Sequence, residues 1–305
     1  MTIKPIIELA RPGHWIKNII VFLPIIFSRR LDDPAAWQQA FVAAIVFCMA
    51  SSFAYIINDI NDRQADQSHP LKKNRPLVSG RITTATAVME AAVFLVLAII
   101  VAYGFSKPLL LTVATYMLLQ VSYSLFLKQK VLVDVICIAL GFVLRAFSGV
   151  VAIRGEISPW LFICIFTICL FMGFCKRYSE IATITCAVGA KNHRPTLMAY
   201  SHELLTHLIT LSAGIAVISF LLYSLSESTV ARFGNNYFVY TLPIVIYAVF
   251  RFAMLSMKGS YADPTDLILH DRPFQLIIGI WTIAAFGIIY WGGFVDGWMK
   301  NLYYP

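Results

Sequence analysis

Residues 58–80 read NDINDRQADQSHPLKKNRPLVSG, a polar stretch set between two long apolar runs. Asn58, Asp59, Asp62 and Asp66 come first, followed by His69, Lys72, Lys73 and Arg75, with Arg81 just beyond. Wound as a helix at ~100° per residue from Asn58, Asp62 falls near ~40°, Asp66 near ~80° and Asp59 near ~100°. All four therefore share one face. Three carboxylates and an amide on one face repel one another unless a cation sits between them. Oxygen ligands of this kind suit Mg²⁺, which takes one or two carboxylates and completes its shell with substrate phosphates. The cations that follow suit the rest of an anionic substrate. The residues thus point to a Mg²⁺–diphosphate site at the mouth of a membrane bundle. The plainer alternative is a solvated loop whose charges only set topology, but a topology signal needs Lys and Arg, not phased aspartates.

Outward from this stretch, the chain is apolar. Of 305 residues 59% are hydrophobic and 13% charged, and the mean hydropathy is +0.74. Successive apolar runs of about 20 residues identify a polytopic membrane protein. The net charge of +8 does not argue for nucleic acid, because the basic residues lie in short loops between spans. Cysteines 48, 137, 164, 169, 175 and 186 lie mostly inside apolar runs without a C-x-x-C, so they read as small apolar side chains. His202 and His207 lack an acidic neighbour suited to a metal triad and read as ordinary helix-end residues. The first residues carry no cleavable signal pattern.

Nine spans are predicted, with residues 1–13 as a short surface lead. They cover roughly 14–29, 35–58, 84–104, 108–127, 131–153, 158–176, 205–226, 236–258 and 273–294. Thr83 or Thr84 caps the third and Ser158-Pro159 opens the sixth. The expected fold is all-α, nine transmembrane helices around a central cavity open to the cytoplasm. It forms a single domain over 1–305, with a motif loop at 58–82 and a second polar segment at 176–204. Placing the N-terminus inside leaves 16 basic residues on the inner side and 6 on the outer, which sets the acidic stretch in the cytoplasm. Ten of the 16 acids share that side, an enrichment that topology alone does not require.

Other polar groups on the same side are Arg11 and Lys17; Tyr123, Ser124 and Lys128; Lys176, Arg177 and Glu180; and the segment from Asp263 to Arg272. These are expected to converge on the cavity. For Lys17 and Lys128 an interfacial anchor is an equal reading. Arg145 lies eleven residues after Asp134, ~16 Å along its helix and half way across the bilayer. A charge there costs at least ~2.5–3.5 kcal/mol unless it faces a polar interior. It is expected to pair with a carboxylate or line the cavity, in a structural or a substrate-contacting role. Arg251 poses the same question.

With these residues in place, the sequence resembles the UbiA-type superfamily of intramembrane prenyltransferases. Those proteins have nine helices and an N-D-x-x-D-x-x-x-D motif after the second, matched here by Asn58, Asp59, Asp62 and Asp66. Their second motif, D-x-x-x-D after the sixth helix, is absent; the chain has Lys176-Arg177-Tyr178-Ser179-Glu180 there. Within the superfamily the chain is similar to the decaprenyl-phosphate phosphoribosyltransferases. The similarity runs through Arg11–Asn18, His69–Pro76, Gly141–Gly149 and Lys176–Ile181.

The resemblance implies an enzyme that moves 5-phosphoribosyl from phosphoribosyl pyrophosphate to a polyprenyl phosphate, releasing pyrophosphate. It implies Mg²⁺ held by Asp59, Asp62 and Asp66, with Asn58 orienting a phosphate or a metal-bound water. Lys72 and Arg75 would hold phosphate oxygens. Lys17, Arg145, Lys176 and Arg177 would seat the acceptor phosphate, and Glu180 would complete the metal shell or hold the ribose hydroxyls. Tyr123 and Lys128 are further substrate-binding candidates. A homo-oligomer in a bacterial inner membrane, serving cell-envelope synthesis, is the accompanying expectation. Two alternatives stay open: prenyl transfer to an aromatic or lipid acceptor, and an anion or lipid transporter. The missing second acidic motif counts against the first. The one-sided acids and the lack of an internal repeat count against the second.

Overall fold

The computed structural model describes residues 4–67, 72–156, 158–186, 199–261 and 264–303, and every regular element among them is helical. The chain divides into two compact units, one holding the elements up to Ala152 and the other those from Pro159 onward.

The first unit opens with α1 (Lys4–Ala10), a 3₁₀ helix (Pro12–Phe22) and α2 (Leu23–Phe27). Helix α3 (Pro34–Gln67) follows, then α4 (Thr84–Phe105), α5 (Lys107–Leu125) and α6 (Val133–Ala152). Asp33 starts α3 by accepting from the amides of Ala35 (2.9 Å) and Ala36 (3.1 Å) ahead of Pro34. No Gly or Pro interrupts residues 35–69, so the helix does not stop at Asn58 as the sequence suggested but carries the whole acidic motif to Gln67. At ~1.5 Å per residue its 34 residues reach ~51 Å, well beyond a ~30 Å hydrocarbon layer. On α4 the fully buried positions are the small Ala87, Ala91, Ala98 and Ala102, while Val93, Val96, Leu97 and Ile100 are exposed. Small residues allow close helix approach, and large apolar ones suit lipid.

The expected first span, 14–29, is not an α-helix. It is an eleven-residue 3₁₀ helix running into five residues of α2. Its anchors explain the winding. Trp15 Nε1 donates to Ser52 Oγ (3.0 Å), and Asn18 Nδ2 donates to Cys48 Sγ (3.3 Å) and Ser51 Oγ (3.4 Å). The Val21 carbonyl lies against Gly149, where a Cβ would come within 1.9 Å of it. Residues 15, 18 and 21 stack on one face only at three residues per turn. The winding also lengthens the segment, since 3₁₀ and α rises together give ~30 Å. Eight helical stretches of the described residues, the first of them Pro34–Gln67, are long and apolar enough to cross a membrane.

The second unit holds α7 (Pro159–Cys186), α8 (His202–Leu225), α9 (Glu227–Phe233), α10 (Leu242–Met257), α11 (Pro264–His270) and α12 (Arg272–Tyr303). Helix α7 runs ten residues past the expected end at 176, so Lys176 to Glu180 are helical. Aromatic rings bind this unit: Phe252 packs against Phe171 (5.6 Å) and Phe274 (5.8 Å), and Phe238 against Phe220 (5.4 Å) and Phe233 (5.6 Å).

Candidate active site

The last turns of α3 bring Asn58, Asp59, Asp62 and Asp66 onto one face, as the spacing requires. Asp59 and Asp66 are only 1% and 3% exposed. Carboxylates this buried must be paired, and three segments of the first unit supply the partners. The loop after α3 turns at Gly80 (φ +75°), closes with Ile82 N donating to Pro76 O (3.2 Å), and is held down by fully buried Leu77. This carries Arg75 back over the motif, where Nη1 donates to Asp66 Oδ2 (2.5 Å) and Asp59 Oδ1 (2.9 Å). Lys72 Nζ stands 3.6 Å from Asp66 Oδ1.

The second segment is the start of the 3₁₀ helix. Arg11 takes a left-handed conformation (φ 52°), uncommon for a residue with a side chain, and its guanidinium donates to Asp59 from above the Tyr55 ring. The third is the end of α5. Lys128, 6% exposed in a short 3₁₀ turn, donates to Asp62 and stands 3.5 Å from Asn58 Oδ1. Asn61 Nδ2 donates to the Ser124 carbonyl at 2.8 Å and ties the motif helix to α5.

Three carboxylates thus meet four cations: Arg11, Lys72, Arg75 and Lys128. The protein's own cations relieve the repulsion that the sequence alone assigned to a metal. Among the described residues no three acidic, His or Cys side chains stand close enough together to hold an ion. The donor set still fits Mg²⁺ in kind, being hard oxygens at i, i+3 and i+7 on one helix face. The surrounding cations match the phosphates that would arrive with it.

Arg145 is 5% exposed and pairs with no carboxylate among the described residues, contrary to one expectation for it. Its Nε donates to Asn18 Oδ1 (2.9 Å) and its Nη2 to the Tyr116 hydroxyl (2.7 Å), with the Tyr116 and Phe142 rings at 5.0 and 4.9 Å. Lys17 is half-buried on the 3₁₀ helix beside Asn18, and Tyr123 half-buried on α5 beside Ser124. Arg11 is among the groups expected to converge on the cavity, whereas no such expectation attaches to Asn18 or Tyr116. The fixed three-residue spacing of Trp15, Asn18 and Val21 was the available signal for that segment.

In the second unit Arg177, 3% exposed, pairs with Glu180 one turn on, and Lys176 is half-buried beside it. Ser179 Oγ donates to the Ser256 carbonyl at 3.4 Å. Arg251 has a carboxylate partner: Nε and Nη2 grip Asp271 at 2.7 and 2.9 Å. Hydrogen bonds from Arg251 and then the Phe274 amide hold the Asp271 carboxyl below its ordinary range, against the opposing effect of burial. Asp271 is therefore committed within its unit. His202 packs edge-on against Tyr178 (5.1 Å), as an ordinary helix-end residue. His69, Asp263 and residues 187–198 of the second polar segment lie outside the described residues.

A family model described as the UbiA prenyltransferase family matches residues 25–269. The chain is 30% identical to the decaprenyl-phosphate phosphoribosyltransferase of Mycolicibacterium smegmatis, over 93% of this chain and 92% of that protein. It is 29% identical to the protein of that name from Mycobacterium tuberculosis H37Rv, over 92% and 93%. A solved UbiA homolog from Archaeoglobus fulgidus, bound to GPP and Mg²⁺, matches with a TM-score of 0.69 at 20% identity over 93% of this chain and 99% of the other, a likeness of fold.

Proposed function

Since the chain belongs to the UbiA prenyltransferase family, and within it to the branch of the decaprenyl-phosphate phosphoribosyltransferases, we propose the following reaction for it. It transfers 5-phosphoribosyl from phosphoribosyl pyrophosphate to a polyprenyl phosphate. The observation that carries this reading is the excess of cations over carboxylates around the motif, a charge balance made for a polyanion. The bond between the anomeric carbon and the diphosphate oxygen breaks, and a bond from that carbon to a lipid phosphate oxygen forms. The diphosphate leaves with the electron pair. The acceptor is already an anion, so no general base is needed.

Each group has a part. Arg11, Lys72, Arg75 and Lys128 release their carboxylates and hold diphosphate oxygens. Asp59, Asp62 and Asp66, thus freed, are the residues that would hold Mg²⁺, and Asn58 orients a phosphate. The metal supplies charge neutralisation on the leaving diphosphate. Lys17, Arg145, Lys176 and Arg177 serve the acceptor phosphate, Tyr123 is a further substrate-binding residue, and Glu180 serves the ribose hydroxyls or the metal shell. The ~30 Å reach of the 3₁₀ segment supports a ninth crossing beside the eight longer helices, in one catalytic domain whose site opens to the cytoplasm of a bacterial inner membrane. Assembly as a homo-oligomer belongs to the same reading.

The test uses purified full-length protein in detergent with Mg²⁺ and decaprenyl phosphate. One sample receives ribose-labelled phosphoribosyl pyrophosphate, another a labelled prenyl diphosphate with an aromatic acceptor. Label entering the lipid phase from the ribose donor is the expected result. Transfer in the second sample alone would assign prenyl transfer instead.

A further inference from the structure

Arg11 has an anchor at the motif besides its carboxylate. While the guanidinium donates to Asp59, its central carbon stands over the face of the Tyr55 ring, 5.1 Å from the centroid. Tyr55 lies four residues before Asp59 on α3, so ring and carboxylate share one helix face, ~6 Å apart along the axis. The same ring receives His14 edge-on, with centroids 5.1 Å apart and planes at 89°. Arg11 and His14 are one turn of the 3₁₀ helix apart. Tyr55 thus seats the first turn of that helix on α3.

The backbone of Arg11 is tied on both sides. Its amide donates to the Glu8 carbonyl (3.3 Å), and its own carbonyl accepts from the His14 amide (2.9 Å). The Ala10 carbonyl just before it accepts from Ser52 Oγ (2.8 Å), and Pro12 follows directly. These ties hold the residue at φ 52°, where a side chain is uncommon. Any movement of Arg11 is therefore left to its side chain.

Diphosphate binding with metal requires Arg11 to let go of Asp59. A guanidinium released from its only partner would swing out to water. Over an aromatic face it stays, because the negative face of the ring attracts the cation without any carboxylate, and the planar guanidinium stacks on it.

We infer that Tyr55 is a positioning residue for the diphosphate: its ring keeps Arg11 at the motif while the guanidinium turns from Asp59 to a diphosphate oxygen. The inference rests on the proposed reaction only through the diphosphate it places at the motif. Tyr55 acts through Arg11, and its hydroxyl has no part in the role.

The experiment measures binding of pyrophosphate with Mg²⁺ to the full-length protein in detergent. Tyr55 is replaced by Leu, by Phe and by a series of progressively fluorinated phenylalanines, which keep the ring's shape while draining its negative face. Each replacement is repeated on an Arg11→Gln background. Tyr55→Leu should weaken binding about fivefold or more, and Tyr55→Phe should restore it to within about twofold of wild type. Affinity should fall stepwise with fluorination, and the whole series should be flat on the Arg11→Gln background. If Tyr55→Leu does not fold, the fluorinated series decides, since a ring that only fills space does not respond to its own charge distribution. A flat series with Arg11 present, or the same slope without it, would overturn the inference. Equal losses in Tyr55→Phe and Tyr55→Leu would also overturn it, by assigning the effect to the hydroxyl. Wild-type protein that binds pyrophosphate with Mg²⁺ but transfers no labelled ribose would overturn the reaction reading and leave the role of Tyr55 standing.

Discussion

Arg75 Nη1 donates to Asp66 at 2.5 Å and, with the same nitrogen, to Asp59 at 2.9 Å, so one guanidinium occupies two of the three carboxylates offered to a metal. Bound metal and bound Arg75 are therefore alternatives. Divalent metal without a diphosphate must displace tethered cations that have nowhere else to go. Metal arriving with a diphosphate supplies those cations with new partners.

Binding of Mn²⁺ followed by electron paramagnetic resonance checks this. Wild-type protein alone should bind it weakly, and pyrophosphate should tighten binding by about tenfold or more, roughly 1.4 kcal/mol. Arg75→Gln should tighten Mn²⁺ binding in the absence of pyrophosphate. Tight binding to the unliganded wild type would contradict the exchange.

Asp62 is the motif carboxylate paired with Lys128. Asp62→Asn keeps an acceptor for the buried lysine while removing the charge, so the fold should survive. Ribosyl transfer should fall by about a hundredfold or more, the usual effect of removing an electrostatic stabiliser at a reacting centre. Near-normal turnover would remove Asp62 from the metal site.

Gly149 holds the 3₁₀ helix close, since any Cβ there would strike the Val21 carbonyl backbone at 1.9 Å. Backbone cannot swing aside as a long side chain can. Gly149→Ala should cost about 1–3 kcal/mol, read as a lower unfolding temperature in detergent. It should also weaken pyrophosphate binding, because Arg11 sits at the start of the displaced segment. Gly13, with open space around it, provides the control: Gly13→Ala should leave both readings near wild type.

The Asp271–Arg251 pair makes a pH-dependent contribution. The folded carboxyl titrates below its ordinary value, so its stabilisation is fully present above the ordinary carboxylate pKa of ~4 and is lost as pH falls through the lowered one. Unfolding measured across acid pH should show Asp271→Asn converging on the wild type at the acid end, separating from it as pH rises from the lowered pKa toward ~4, and staying apart by a constant margin above that.

Lys176→Ala should weaken binding of a polyprenyl phosphate several-fold more than that of phosphoribosyl pyrophosphate. Equal loss of both would take Lys176 out of the acceptor role.

The phased acids could be read from the chain because helical periodicity fixes the face of a residue from its number, so Asn58, Asp59, Asp62 and Asp66 were a set before any coordinates. Apolar run length likewise disclosed the spans, since a bilayer demands them whatever the neighbours. Partners are another matter. That Lys128 meets Asp62, that Arg75 spans Asp59 and Asp66, and that Arg145 turns to Asn18 and Tyr116 instead of a carboxylate depend on which helices lie side by side, which periodicity within one helix cannot encode. The same holds for the 3₁₀ winding of residues 12–22. Its sequence is apolar enough for an α-helical span, and it is the contacts of Trp15, Asn18 and Val21 with α3 and α6 that select three residues per turn. The sequence by itself determined the membrane class, the acidic face and the pool of cations. The tertiary structure decided which cation neutralises which acid, because long-range packing energies, not local ones, choose among those pairings.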